Sequence, residues 1–360
     1  MLLFKIFDSC YILYPGIILI VFLIISFSSN AYAGRIQLVA VQMKLKLNDY
    51  YSRGSFEEKI KNLMQKAANK ISPELPTLIV FPEDVGLMLI AQGNEEALKE
   101  AKTIKEAIKK MSMKYFFPIL WCRIRYKISW VPAIYYYHNK VIAETYFETF
   151  SMLAKEYQSH IVAGSIPLPH YRFSNGQVFY QEEPLSPEIF NTSYLFGPDG
   201  EVVGYQDKVY LLELEQEEGL NLTPGNIEDI QVFSTEAGRV GIAVCFDGFK
   251  DDVIERLREH NVDILIQPSA NPLPWSKEQQ QEWLEGSYKY VYELKYFRYA
   301  VNPMMNGVFL DLNFYGQSSI ISRENKGSMK NFKDLQPQEG FISISESDDK
   351  EEIIAAEVEL

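Results

Sequence analysis

Hydrophobic and polar positions alternate in blocks along this chain. Arg35-Ile-Gln-Leu-Val-Ala-Val-Gln-Met43 reads as a buried strand, and residues 55–71 as an amphipathic helix. Thr77-Leu-Ile-Val-Phe-Pro is a second strand-like run, ending at Glu83. The pattern predicts helices over 95–114 and 146–158, then a strand at His160-Ile-Val-Ala-Gly-Ser165. Asn191–Phe196 and residues 201–206 flank a Gly-Pro-Asp-Gly turn and predict a hairpin. Val240-Gly-Ile-Ala-Val is an apolar run that stops at Cys245, with a helical pattern from Asp251 to Glu259. Strands are expected near Asp263–Ser269, Ala300–Val301, Gly307–Leu310, Gln317–Ile321 and Glu352–Leu360, and a helix over 276–297. Strands and helices alternate without a linker, which predicts one α/β domain over residues 34–360.

Two stretches depart from the alternation. Residues 112–145 are crowded with aromatics, interrupted by Arg123, Arg125 and Lys127, and form an insertion. The lysines of 95–114 read most simply as a solvated helix face; beside the basic aromatic segment, contact with a membrane surface is the alternative. Residues 167–190 are rich in Pro and Tyr and read as a long loop.

The N-terminus stands apart. Lys5, an apolar stretch from Tyr11 to Phe27 and Ala31-Tyr-Ala33 follow the order of a signal peptide. The stretch is also near the length of a membrane anchor. Residues 1–33 are therefore expected to be signal peptide or anchor, with the remainder extracytoplasmic; as an anchor, residues 11–27 would give membrane association. A formal net charge of -13 and a pI near 5.0 exclude nucleic-acid binding as the main role. No Cys-x-x-Cys pair or His/Cys cluster points to a metal.

Three strand-like runs each end in one ionisable residue: Glu83, Lys208 and Cys245. A thiol at a strand end, facing the positive end of a following helix, is expected to favour thiolate. A thiolate attacks an electrophilic carbon. A carboxylate can take the thiol proton, give it to a leaving amine and then activate water. An ammonium and the backbone N–H of Phe246 can hold the oxyanion. Together they suit an amide carbonyl or a nitrile, with no metal or organic cofactor. A Cys–His mechanism has little support, since His260 lies at the far end of the following helix and His160 in an apolar strand.

The chain resembles the nitrilase superfamily of carbon–nitrogen hydrolases, in its amidase-like branch. The matching segments are Ile-Val-Phe-Pro-Glu83, then Asn191-Thr-Ser ending in Gly-Pro-Asp-Gly-Glu-Val-Val-Gly-Tyr-Gln-Asp-Lys208-Val-Tyr-Leu, and Val-Gly-Ile-Ala-Val-Cys245-Phe-Asp. Supporting matches are Asp263–Asn271, Tyr315-Gly-Gln-Ser-Ser-Ile-Ile and the last eight residues; the resemblance runs from about Ile36 to Leu360. It implies an α-β-β-α sandwich, with Glu83 as general base and acid, Lys208 as oxyanion stabiliser and Cys245 as nucleophile. It also implies a second glutamate after the lysine, Glu215 in preference to Glu213, and a homo-oligomer. Asp247 is expected to be a structural acid near the nucleophile or to border the substrate pocket. Asn271 is expected either to shape that pocket or to end a strand. Tyr210 stands where a histidine often follows the lysine, and Gly248-Phe-Lys replaces the frequent Arg-Phe-Pro. The stretch between Glu83 and the His160 strand is longer than usual. The expected activity is hydrolysis of a small-molecule amide through a Cys245 thioester. N-acyl transfer, nitrile hydrolysis and a non-catalytic binding protein on the same fold are the alternatives. Asn191-Thr-Ser and Asn221-Leu-Thr match the glycosylation pattern, the first in a strand that the family buries.

Overall fold

A computed structural model describes residues 34–360. The apolar segment at 11–27, and with it the expected leader or anchor, lies outside the described residues. Among the described residues no helix is long and apolar enough to cross a membrane.

Two sheets form the centre. The first runs in the order Ser269–Ala270, Met304–Phe309, Arg35–Leu45, Thr77–Val80, His160–Val162, Phe190–Phe196, Ile166–Leu168. Its middle pairs are parallel, with Leu38 opposite Leu78 and Ile79 opposite Ile161. The last strand, Glu352–Glu359, lies antiparallel along Arg35–Leu45, pairing Arg35 with Glu359 and Gln42 with Glu352. Val202–Asp207 pairs antiparallel with Phe190–Phe196, which is the hairpin expected from the turn sequence. The second sheet runs Phe341–Ile344, Ser319–Ser322, Tyr299–Asn302, Ile264–Ile266, Gly238–Ile242, Val232–Thr235.

Strand periodicity sorts the apolar side chains into two cores. On the first strand Leu38 and Ala40 face the second sheet, in a core with Val240, Ile242, Ile264 and Ile266. Val39, Val41 and Met43 face the other way, onto Phe56, Ile60 and Phe150 of the helices Arg53–Ala68 and Trp130–Tyr157. Helix Asp251–Glu259 packs Val253, Ile254 and Leu257 into the second core. The layers are helix, sheet, sheet, helix, as the resemblance implied.

Several elements differ from expectation. The helix expected over 95–114 is two, Glu95–Lys99 and Ile104–Lys114; Thr103 caps the second by accepting from Glu106 N–H at 3.2 Å. The helix expected over 146–158 is the end of a 28-residue helix, Trp130–Tyr157. Aromatics face both the core and the surface there, so the apolar stripe loses its period and the first half does not read as amphipathic. The aromatic-rich segment is therefore helical, Phe116–Tyr126 followed by that long helix. The expected loop at 167–190 contains the end of the strand Ile166–Leu168 and a small hairpin, Phe173–Ser174 with Gln177–Val178. The helix begun at Lys277–Trp283 runs on in wider, π-type turns to Glu293, broken at Gly286 by ψ of -132°.

One glycine bears directly on the site. Gly164 sits at φ +65°, and a Cβ there would lie 2.0 Å from the Pro82 carbonyl oxygen. Its lack of a side chain lets the His160 strand close against the loop that carries Glu83. The next residue, Ser165, accepts from Asp84 N–H at 3.0 Å on its hydroxyl and from Gly86 N–H at 2.9 Å on its carbonyl.

Candidate active site

Both sheets deliver polar residues from the same ends of their strands. Glu83 follows Thr77–Val80, and Lys208 directly follows Val202–Asp207 in the first sheet. Cys245 follows Gly238–Ile242 in the second. All three are buried, Lys208 to 1% exposure. The Lys208 ammonium donates to Glu83 Oε1 at 2.8 Å and to Glu215 Oε2 at 2.5 Å. Glu83 Oε2 accepts from Ala270 N–H at 3.1 Å, and its carboxylate also interacts with the Cys245 thiol. The three separate sequence positions thus meet in one cluster.

Of the two candidate glutamates after the lysine, Glu215 is the one placed in this cluster. It is buried, whereas Glu213, two residues before it, is exposed. A short helical turn, Glu213–Glu215, lets Glu215 Oε2 accept from Leu212 N–H at 2.9 Å while also holding Lys208.

Electrostatics decide the resting protonation. Burial lowers the Lys208 pKa, but Glu83 and Glu215 outweigh it and hold the value well above the usual lysine range. Burial pushes the Glu83 carboxyl up, and Lys208 pulls it back only in part. The Cys245 thiol is pushed well up by burial and then by the Glu83 charge, against the pull of Lys208. The expectation of a thiolate favoured by a helix terminus is corrected here. Cys245 opens a short turn, Cys245–Phe249, ahead of the helix that starts at Asp251, and burial dominates its titration. The carboxylate that interacts with this thiol is Glu83.

The nucleophile position is strained. Cys245 has φ +49°, a left-handed conformation that costs about 1–3 kcal/mol for a residue with a side chain. Its N–H donates to Pro268 O at 2.9 Å, and its carbonyl accepts from Gln267 Nε2 at 3.0 Å. Gln267 Oε1 in turn accepts from Ser287 N–H at 3.1 Å. The strain is held by the neighbouring strand. Phe246 follows at the start of the turn, where the first N–H groups have no intrahelical acceptor.

Asp247 and Asn271 are both spent on backbone. Asp247 accepts from Val209 N–H at 3.0 Å and Tyr210 N–H at 2.7 Å, tying the nucleophile turn to the residues after Lys208. Asn271 donates to Leu273 O at 2.9 Å and Tyr315 O at 3.1 Å, and accepts from Leu273 N–H at 3.2 Å. Its amide shapes the chain rather than facing the cluster.

Burial pushes Asp247 up to about 7, with the two backbone donors pulling the other way. Ionised, it accepts both N–H groups; protonated, one oxygen carries a hydrogen. The Lys208 segment is therefore held by both bonds only above about pH 7. Activity of the wild type should fall below that pH. Asp247→Asn should be less active throughout and lack this limb in a pH profile of kcat; an unchanged limb would assign it elsewhere. Stability runs oppositely. The folded value lies above the ordinary 3.8, so Asp247's contribution to folding is complete below about 4 and lost as pH rises through 7.

The carbon-nitrogen hydrolase family model matches residues 40–327, most of the chain and all of the cluster. The chain belongs to the carbon-nitrogen hydrolase family. Among relatives, the omega-amidase NIT2 of Xenopus tropicalis is 26% identical over 210 residues, covering 55% of this chain and 68% of that one. Nit3 of Saccharomyces cerevisiae, described as a member of branch 10 of the nitrilase superfamily, superposes with a TM-score of 0.54 at 17% identity, covering 91% of this chain and 90% of that one. An amidase from Nesterenkonia sp. gives a TM-score of 0.56 at 13% identity, with 91% of each chain covered. These two likenesses are of fold.

Within this carbon-nitrogen hydrolase, two polar residues of the family-like segments were assigned no role at the site from sequence. Asn191 is buried and its amide donates to Glu83 Oε1 at 3.2 Å and to Glu215 Oε1 at 2.9 Å, bridging the two acids. Its signal was available, since a lone Asn in a buried strand needs partners of its own. Gln267, which holds the Cys245 carbonyl, carries the same signal. The four histidines are engaged elsewhere or are not part of the cluster; His170 pairs with Asp207 at 3.0 Å and stacks on Phe190.

Proposed function

We propose that this carbon-nitrogen hydrolase cleaves the amide bond of a small linear amide through a Cys245 thioester. The observation that carries the proposal is the buried contact set joining Glu83, Lys208, Glu215 and Cys245 across two sheets. Glu83 takes the proton from Cys245 Sγ, and the sulfur attacks the amide carbon. The new oxyanion is held by the Lys208 ammonium and the Phe246 N–H. Each such donor contributes about 3–4 kcal/mol to the transition state. Collapse breaks the carbon–nitrogen bond as Glu83 returns its proton to the departing nitrogen, which leaves as ammonia or amine. Glu83 then deprotonates a water that attacks the thioester carbon. Expulsion of the sulfur, reprotonated by Glu83, frees the carboxylic acid and restores the enzyme.

Glu215 and Asn191 position rather than react. Glu215 fixes the Lys208 ammonium, and Asn191 links the two carboxylates by donating to both. A terminal amide as substrate is supported by the relatives that are named omega-amidases. The Ala31-Tyr-Ala33 pattern after an apolar stretch supports action outside the cytoplasm.

The test is intact-mass analysis of the purified chain during turnover of a panel of terminal amides and their esters. A mass increase equal to the acyl group, mapped to the Cys245 peptide and chased by water with release of the acid, is the expected outcome. An amine acceptor that outcompetes water for the adduct would make the chain an acyltransferase. The absence of any adduct with every amide and ester would favour a binding protein.

A further inference from the structure

The helix Phe116–Tyr126 is apolar on two faces. Ile119 and Cys122 turn inward and are buried. Phe117, Trp121 and Ile124 turn outward and are 81%, 59% and 71% exposed. At the helical repeat these three lie within about 60° of one another. A helix that is hydrophobic all round is normally covered on all sides, and nothing among the described residues covers this face. The exposed surface continues onto the next helix. Trp121, Tyr137 and Val141 line one cavity of about 690 Å³, and Tyr137 and Val141 are themselves exposed.

Charge is segregated over the same region. Lys109, Lys110, Lys114, Arg123, Arg125, Lys127 and Lys140 fall between Glu106 and Glu144 with no Asp or Glu among them, in a chain of net charge -13. Arg125 and Lys127 are exposed beside the outward stripe. Arg123 is half-buried, lies over the Trp130 ring at 4.1 Å and donates to Ile128 O at 3.4 Å. One acid, Glu183, reaches the cavity wall from another segment.

We propose that this face docks on an anionic lipid surface, with Phe117, Trp121 and Ile124 entering the interface and Arg123, Arg125 and Lys127 meeting lipid phosphates. An aromatic and aliphatic stripe bordered by arginine and lysine is the composition of helices that lie in a bilayer interface. A second copy of the chain fits less well. A twofold dimer through this face would set Arg123, Arg125 and Lys127 against cations of the same face. A lipid surface also accords with the apolar stretch at 11–27, which as an anchor would hold the chain at a bilayer. Because Trp121 lies in the stripe, its fluorescence reports local contact whether or not the chain is tethered through that stretch.

The experiment uses the full chain with vesicles whose acyl chains carry bromine, made of phosphatidylcholine alone or with phosphatidylglycerol. Of the other three tryptophans, Trp275 and Trp283 are buried and Trp130 is half-buried with Arg123 over its ring, so Trp121 is the one most open to the quencher. Quenching of tryptophan emission should be at least about threefold stronger with the anionic vesicles and weaken in high salt. Trp121→Phe should remove most of the quenched signal, and Phe117→Ser with Ile124→Ser should remove most of it with Trp121 retained. Amide turnover in solution should be unchanged in both variants, showing that they fold. Three outcomes would overturn the proposal. They are no quenching by either vesicle, equal quenching by both, and a dimer that Phe117→Ser with Ile124→Ser dissociates while lipid leaves Trp121 unaffected.

Discussion

Glu83→Gln should lower kcat/KM for an amide substrate by about 10³ at neutral pH while leaving the chain folded. The reasoning starts from Cys245. Its thiol is pushed well above the ordinary range by burial and by the Glu83 charge, which favours the neutral form. Attack therefore waits on proton transfer, and Glu83 is the carboxylate whose titration is linked to that of the sulfur. A glutamine keeps an acceptor for Lys208 and Asn191 but takes no proton. The loss should fall on formation of the acyl-enzyme, so the adduct seen by mass spectrometry in the wild type should not accumulate. The variant should regain activity as pH is raised toward the thiol's own titration, since hydroxide then does what the carboxylate did. A pH profile separates this from a merely structural defect, which alkali would not rescue. A Glu83→Gln variant within a few-fold of wild type at neutral pH would remove Glu83 as the base.

How much of this site was legible in the sequence follows from how each residue is presented. Glu83, Lys208 and Cys245 each end an apolar run, and an ionisable residue at a buried strand end stands out against its neighbours. Glu215 lies in a run of acids, Glu213 to Glu218, where composition cannot separate one from another; the turn that buries Glu215 and exposes Glu213 does so. Asn191 and Gln267 are neutral polar residues inside strand-like segments. Their roles depend on which strands become neighbours, and that is a property of two sheets rather than of local pattern. Asn271 illustrates the converse. It sits in a family-like segment near the cluster, yet its amide is consumed by Leu273 and Tyr315.

The fold shows the same division. The hairpin at Gly197–Gly200, the Asp251–Glu259 helix and the strands before Glu83 and Cys245 have strong local signals and form as expected. The aromatic-rich segment does not, because aromatics on every side of Trp130–Tyr157 serve two surfaces. Phe147 and Phe150 pack on the first sheet, while Tyr137 and Val141 face outward. Period-based reading assumes one buried face and one solvated face. It stops working where a helix has an apolar surface on both.

Lys208→Met should cost both catalysis and folding, and the two losses should separate in a combined variant. Among the described residues, Lys208 is the one ammonium bonded to both Glu83 and Glu215, each buried. Removing it leaves two carboxylates facing each other without a counter-charge. Breaking one side of a buried ion cluster in this way costs about 3–5 kcal/mol, measurable as a lower midpoint in chemical denaturation. Part of the cost is relieved by proton uptake at Glu83, whose carboxyl burial already pushes up and which then lacks the opposing pull of Lys208. A group with a raised folded pKa adds stability as pH falls through that value. The deficit against wild type should therefore shrink toward acid, until general acid unfolding sets in. Loss of the oxyanion donor should lower kcat by about 10²–10³. Adding Glu83→Gln and Glu215→Gln to Lys208→Met replaces the buried charges by neutral groups. The triple variant should recover most of the stability and none of the activity. If Lys208→Met alone is as stable as wild type, the cluster is not a mutually compensating set of charges. If the triple variant recovers activity with stability, neither role stands: Glu83 is not the base, and Lys208 acts only through the fold.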